Sequence, residues 1–531
     1  MNNKKRLWLC FVVATGCAVL FGGCEVVSSL FGGGGGEGGS EGGPSGGPVD
    51  NFDPSIPSFY VSAEEGKEDN NGTSESEPLA TLKAAYDKAK GDSERRRIVV
   101  LSDLTQAVAV EFNAPGDFIT IEGRYAGYTI GRSAGKNGSV LEITGGAKIK
   151  FANIKVNGRN GSVYNRAIKI DGAGSEATLE QGAVLTGELV ATDGAEIISD
   201  LTLNGNGVWV TNSGTLTIAE GEVAGCQGAV SVGAVFANAG GSVSMAGGWI
   251  RGNTAYRGGG VAVYQNAAFT MTGGEISGNT GISGGGGIYA FGDNTYSDKR
   301  PTLDLKDGKI LSNHASTGGG VYILYEINKF TITNVVISNN NATTDNGGGI
   351  NITNSKAGGI VKMSMTGGRI SDNTASSRGG GIYVTGTGII TMKDGHISGN
   401  KAFGDSGGKG GGGVFVGYIN ANNNSTSFIM DGGEISGNYA FMQGGGVFIY
   451  PGSSNSPGYT NSFTLKGDAT VYGSDVPSLA NSVGTGSGSE GAAIHKYSNG
   501  ATTKVIIETT DCTPYTKQSF EDTVDTSYKN P

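Results

Sequence analysis

One unit recurs seven times between Met245 and Val447, and few architectures can absorb such a repeat. It runs as an apolar residue, three turn-type residues, a variable residue, Ile, two further residues, Asn, a loop of variable length, then Gly-Gly-Gly and Val or Ile. The residues after the glycines are Val261, Ile288, Val321, Ile350, Ile382, Val414 and Val447, which sets the period at 27 to 33 residues. A unit of that length cannot bury an apolar face alone, whereas stacked units bury a continuous one. The repeat therefore predicts a solenoid with one coil of three short strands per unit. Between Ile98 and Met245 the pattern loosens, but segments such as Leu201-Thr202-Leu203 and Leu216-Thr217-Ile218 continue it.

Alternation along each strand and repetition between coils assign the columns. Met245, Met271, Leu305, Ile332, Met365, Met392 and Met430 form one predicted inward column, and Ile250, Ile276, Ile310, Ile337, Ile370, Ile397 and Ile435 a second, five residues on. Asn253, Asn279, Asn313, Asn339, Asn373, Asn400 and Asn438 form a predicted structural ladder, their amides bonding to backbone and to one another. The triple glycines provide positive φ and close backbone approach. If the Val/Ile after them point inward, the next residues point out. Five of those seven are aromatic: Tyr289, Tyr322, Tyr383, Phe415 and Phe448, with Ala262 and Asn351 as the exceptions. Two readings of this stripe stand: a face that binds sugars or a protein partner, or rings that stack on one another beneath the variable loops.

Ahead of the repeat the chain changes character several times. Lys4, Lys5 and Arg6 precede an apolar run from Leu7 to Phe21, about 15 residues long and short of the roughly 20 that span a bilayer. The run ends on Gly22-Gly23-Cys24, which resembles the lipobox of bacterial lipoproteins, although Phe21 stands where Leu is usual. That resemblance implies cleavage before Cys24, acylation of its thiol and amine, and attachment to a membrane. An ordinary secretory signal with an incidental Cys is the other reading. From Gly32 to Pro48 the chain is nearly all Gly, Ser, Pro and Glu, the composition of a flexible tether. The expected organisation is a signal peptide at 1–23, a tether at 24–57, an N-terminal cap with an amphipathic helix at 58–97, the solenoid at 98–510 and a polar tail at 511–531. Leu79, Leu82, Tyr86 and Ala89 carry the helical spacing, with Pro78 in the first turn and Gly91 at the stop.

Beyond residue 23 the chain carries 35 basic and 48 acidic side chains, a net charge of −13. Such a body argues against nucleic acid as a partner. Of five cysteines, Cys10 and Cys17 fall in the signal and Cys24 takes the lipid. Cys226 and Cys512 stand 286 residues apart, many coils distant, so no disulfide framework follows.

The segment from Phe59 to Leu104, with its strand, Asn-Asn-Gly-Thr loop, short helix and Ile98-Val99-Val100-Leu101 strand, resembles the N-terminal cap of pectate-lyase-like β-helix proteins. The resemblance implies an all-β, right-handed, single-stranded parallel β-helix with a short N-terminal capping helix. The Ile-x-x-Asn and Gly-Gly-Gly-Val/Ile pairing is architecturally similar to the repeats of chlamydial polymorphic outer-membrane proteins. Together with the anchor signal it also resembles repeat-rich surface lipoproteins of spirochaetes, which implies an outer-membrane, cell-surface location.

Such folds host lyases and glycoside hydrolases, so acids recurring at one repeat position would matter. The outward residues before the Ile column are Trp249, Glu275, Lys309, Val336, Arg369, His396 and Glu434, with mixed signs. Asp307 and Asp394 share a position with Asn334, Gly273 and Gly367, an exchange typical of turns. His314, His396 and His495 are scattered, and no cofactor or metal motif is present in the sequence. No catalytic residue is assigned. The expected function is non-catalytic: a membrane-anchored β-helix scaffold for adhesion or envelope contact with a host or envelope protein or a polysaccharide. The alternative is a carbohydrate-active enzyme or lectin.

Overall fold

The structure, a computed structural model, describes residues 52–133, 138–160, 163–164, 166–187, 207–292, 299–354, 359–405, 409–417, 425–450, 461–472, 477–484, 493–496 and 503–508. Cys24, the Gly32–Pro48 tether, Leu201–Leu203, Cys512 and the polar tail lie outside these residues. The described chain is an all-β parallel solenoid. Its strands assemble into parallel sheets of 24, 13 and 9 strands, with one short antiparallel pair at Arg159–Asn160 and Val163–Tyr164.

One coil shows how the repeat maps onto this scaffold. Ala268–Ser277 crosses the largest sheet, with register shifts around Gly273 and Gly274 where the strand bends. Asn279 turns the chain into Thr280–Gly284 of the nine-stranded sheet. Gly285–Gly287 turn it again into Ile288–Phe291 of the 13-stranded sheet, and the next coil starts at Thr302. Both predicted inward columns are core: Met245, Met271, Leu305 and Ile332 are fully buried, as is every member of the Ile series. Strand pairing extends the Ile column in both directions, upstream through Val223, Leu185, Val156 and Ile130 to Leu104 and downstream to Val471.

The amide ladder holds the tight turn between the largest and the nine-stranded sheets. Asn279 is representative. Its Nδ2 donates to the Ile250 carbonyl of the previous coil and to Asn313 Oδ1 of the next, both at 2.9 Å. Its backbone N–H also donates to Asn313 Oδ1, and its own Oδ1 accepts from the N–H and Nδ2 of Asn253. Each buried amide is thus satisfied from both sides. The chain of bonds runs through Asn253, Asn279, Asn313, Asn340, Asn373, Asn400 and Asn438, and ends at Asn481, which donates to the carbonyls of Ile435 and Tyr472. Asn339, the expected member, is not in it. Asn340 stands three residues after Ile337, as every other rung stands after its Ile, while Asn339 is the preceding residue and sits at φ +56°. That preceding position is left-handed in neighbouring coils too, at Gly252, Gly278, Ser312, Asp372, Gly399 and Gly437. Asn tolerates left-handed backbone better than most residues, so two adjacent asparagines answer two different demands. One coil above Asn253 the rung position belongs to Cys226, which is buried and donates its N–H to Asn253 Oδ1.

The ladder also explains the third glycine of each triplet. A Cβ on Gly287 would lie 3.1 Å from Asn313 Nδ2, and one on Gly413 would lie 3.0 Å from Asn438 Nδ2. The first glycine has a separate reason, a φ near +65° at Gly258 and Gly285.

At the N-terminal end, helix α1 (Leu82–Ala89) buries Leu82, Ala85, Tyr86 and Ala89. It begins later than the spacing of Leu79 suggests. Thr81 caps it by accepting the Ala84 N–H, whereas Leu79 is held extended, its N–H on the Tyr60 carbonyl and its carbonyl on the Ser62 N–H. The Tyr86 hydroxyl accepts the N–H groups of Asn113 and Ala114 at 2.9 Å, tying α1 to the strand Val110–Phe112.

Asn340→Ala removes a buried donor and acceptor together and leaves their partners unsatisfied, at about 1–3 kcal/mol per orphaned group. Its urea-unfolding midpoint is expected to fall well below that of Asn339→Gly, which keeps the ladder and relieves a left-handed non-glycine residue.

Candidate binding face

The 13-stranded sheet carries the aromatic stripe. Val261, Ile288, Val321, Ile350, Ile382, Val414 and Val447 are fully buried and in register, so the residue after each faces the outside of the solenoid. Outward direction does not bring exposure. Tyr289, Phe415 and Phe448 are fully buried, Tyr383 is nearly so, and Tyr322 is half-buried. Of the two readings of the stripe, burial at these five positions accords with rings that stack on one another rather than with an open face. Tyr383, Phe415 and Phe448 stack at 5.0 and 5.4 Å, and the Arg378 guanidinium lies over Phe415. Tyr289 is covered in the same way by Arg257, at 5.5 Å from its ring centroid. In both cases the residue just before a glycine turn folds its side chain over the ring of the following coil.

The more accessible aromatic surface lies on the same sheet, largely at positions that sequence reasoning did not single out. Trp209 and Phe236 continue the column upstream of Ala262, in coils that lack the triple glycine. Tyr264 and Phe291 form a second outward column two residues along the strand. Ring contacts run unbroken from Trp209 through Phe236, Tyr264 and Phe291 to Tyr325, at centroid distances of 5.2 to 6.3 Å. All five rings are half-buried. The usable signal was the fourth residue after the glycines, aromatic in two successive coils.

Two guanidiniums sit on this face. Arg166 lies 4.4 Å from the Trp209 ring centroid, and Arg257 lies among Tyr256, Tyr264, Tyr289 and Tyr322, with Nη1 3.4 Å from the Tyr289 hydroxyl. Among the described residues neither forms a salt bridge. Lys169, also beside Trp209, is paired with Asp171 at 2.6 Å. Burial pushes the Tyr264 hydroxyl up to about 12 and raises those of Tyr289 and Tyr322, so all three remain neutral donors.

The acids form no comparable constellation among the described residues. Asp307 Oδ1 and Asp394 Oδ1 each accept the N–H of the following glycine at 2.7 Å, with Gly308 and Gly395 both at φ +107°. They shape turns, as their exchange with Gly and Asn predicts. Glu222 pairs with Arg251, which neighbours Trp249, and Glu434 lies 3.8 Å from His396 Nδ1. A concavity near the N-terminal coils, lined by Asp53, Glu94, Arg97 and Glu122, has its buried cation engaged by Ser58, Glu122 and the carbonyls of Asp53 and Ile56. No group of three or more potential metal-ligating side chains occurs among the described residues.

His495 continues the outer column below Phe448, stacked at 5.3 Å with an interplanar angle of 5°. Burial depresses its imidazole to about 4 from an ordinary 6.5. The folded chain therefore resists a proton that the unfolded chain takes up. Its contribution is present above pH 6.5 and is lost as pH falls towards 4, by roughly 3 kcal/mol in all. The protection factors of the Ile494–Lys496 amides, which divide out the intrinsic fall of exchange rate with pH, are expected to drop across that window in the native chain and to stay flat in His495→Phe. No protein-family model matches the chain, and no curated protein matches it either.

Proposed function

We propose that this chain is a surface-displayed bacterial lipoprotein, held at a membrane through Cys24, whose β-helix is a non-catalytic scaffold for adhesion or cell-envelope contact. The observation that carries the reading is the order of segments: basic cluster, short apolar run, Gly22-Gly23-Cys24, glycine tether, then a long repeat body. A body assembled coil upon coil, at about 4.8 Å per strand, presents outer faces along the stack. In this reading the solenoid winds right-handed and α1 closes its first coil, shielding an apolar end that would otherwise be an open edge. The aromatic and arginine composition of the 13-stranded sheet favours contact, because those residue types dominate interface energetics.

Labelling of expressing cells with radioactive palmitate is expected to mark the chain and to miss Cys24→Ala. Protease added to intact cells is expected to digest the body. Label-free chain released to the medium would sink the anchor, and protection from protease would sink the surface location. Acidic and neutral polysaccharides incubated with the protein, with and without Ca²⁺, are expected to keep their length. Shortening would restore the carbohydrate-active alternative.

A further inference from the structure

Arg257 is a charged group without a visible counterpart. The chain is acidic, at −10, yet this half-buried guanidinium has no carboxylate within salt-bridge distance among the described residues and is ringed by tyrosines instead. Arg166, on the same face, also lacks an ion pair there, and only Glu142 acts on it, from beyond that distance. A desolvated guanidinium next to neutral phenol donors is a receptor for an anionic oxygen. From Trp209, beneath Arg166, to Tyr289, beneath Arg257, the register counts three coil spacings, about 14 Å. Between the two cations lie the half-buried rings of Phe236 and Tyr264.

The rings distinguish between classes of ligand. A sugar stacks on an open aromatic face, and these faces are engaged. Phe236 meets Tyr264 edge to face at 89°, Phe291 meets Tyr325 at 64°, and Trp209 lies between Phe236 and Arg166. Half-buried ring edges suit an apolar side chain laid across them, the manner in which aromatic and arginine clusters recognise proteins.

Resting on the reading of this chain as a contact scaffold, we propose that the outer face from Trp209 to Tyr325 binds an extended protein segment of the form acid–x–apolar–x–acid. In an extended segment positions i, i+2 and i+4 face one side, and four residues at roughly 3.3 Å each span the separation of the two cations. One acid meets Arg166, the other meets Arg257, and the apolar side chain packs across the outer edges of Phe236 and Tyr264.

The test is selection of a random 12-residue display library on the full-length chain in detergent, with affinities of the enriched peptides measured against Arg257→Gln and Arg166→Gln. Enrichment of acidic residues four apart around an apolar one is expected. Each variant should bind at least tenfold more weakly, with an unchanged thermal melting curve to confirm folding. No enrichment, enrichment without that spacing, or equal binding by both folded variants would overturn the proposal. So would Arg257-dependent binding of a heparin oligosaccharide in place of the peptides. Because the assay uses purified protein, its failure leaves the palmitate and protease results standing, and theirs leaves it standing.

Discussion

The stack depends on a buried amide answering its neighbour above and below. A parallel solenoid must turn the chain sharply several times per coil, and every turn takes backbone groups out of water. From Asn253 to Asn481, at the turn after the Ile column, one asparagine per coil receives the previous coil's N–H and amide and passes its own to the next. The third glycine of each triplet is small because the amide needs the space, and the residue before each asparagine adopts a left-handed backbone so that the amide can enter. Those side-chain requirements follow from one bonding pattern.

The outer surface obeys a looser rule. Inward columns repeat because a different volume in one coil would leave a void or a clash with the next. The outward column changes from Trp209 to Ala262 to Asn351 to His495 without disturbing the core. That freedom lets a face collect rings and arginines. It also means that direction and accessibility separate, since a long side chain from the previous coil can lie over an outward ring, as Arg257 and Arg378 do.

The coil period, both core columns and the parallel stacking were legible from residue order, because each is enforced at every repeat. The Asn339 assignment failed where two asparagines adjoin; counting from Ile337 rather than matching residue type identifies Asn340. The helix start was misplaced because Leu79 has helical spacing while its backbone is already claimed by Tyr60 and Ser62. The accessible face was legible only in part. Tyr264 and Phe291 follow the repeat and could have been read, but Trp209 and Phe236 sit in coils without the triple glycine. The shielding of Tyr289 by Arg257 is a contact between coils that no single repeat displays.

A ladder with one member per coil has no built-in length. Gain or loss of a whole coil would restore the same bonds across the join, and the ends would be unchanged. An insertion of one residue between Ile276 and Asn279 would misplace an amide and break the series, whereas added residues between Phe291 and Thr302 cost only a slowly growing closure entropy. The fold is thus a ruler that can be lengthened in whole divisions while its fringe is rewritten freely, and genetic duplication of a coil becomes a change of reach rather than a change of structure.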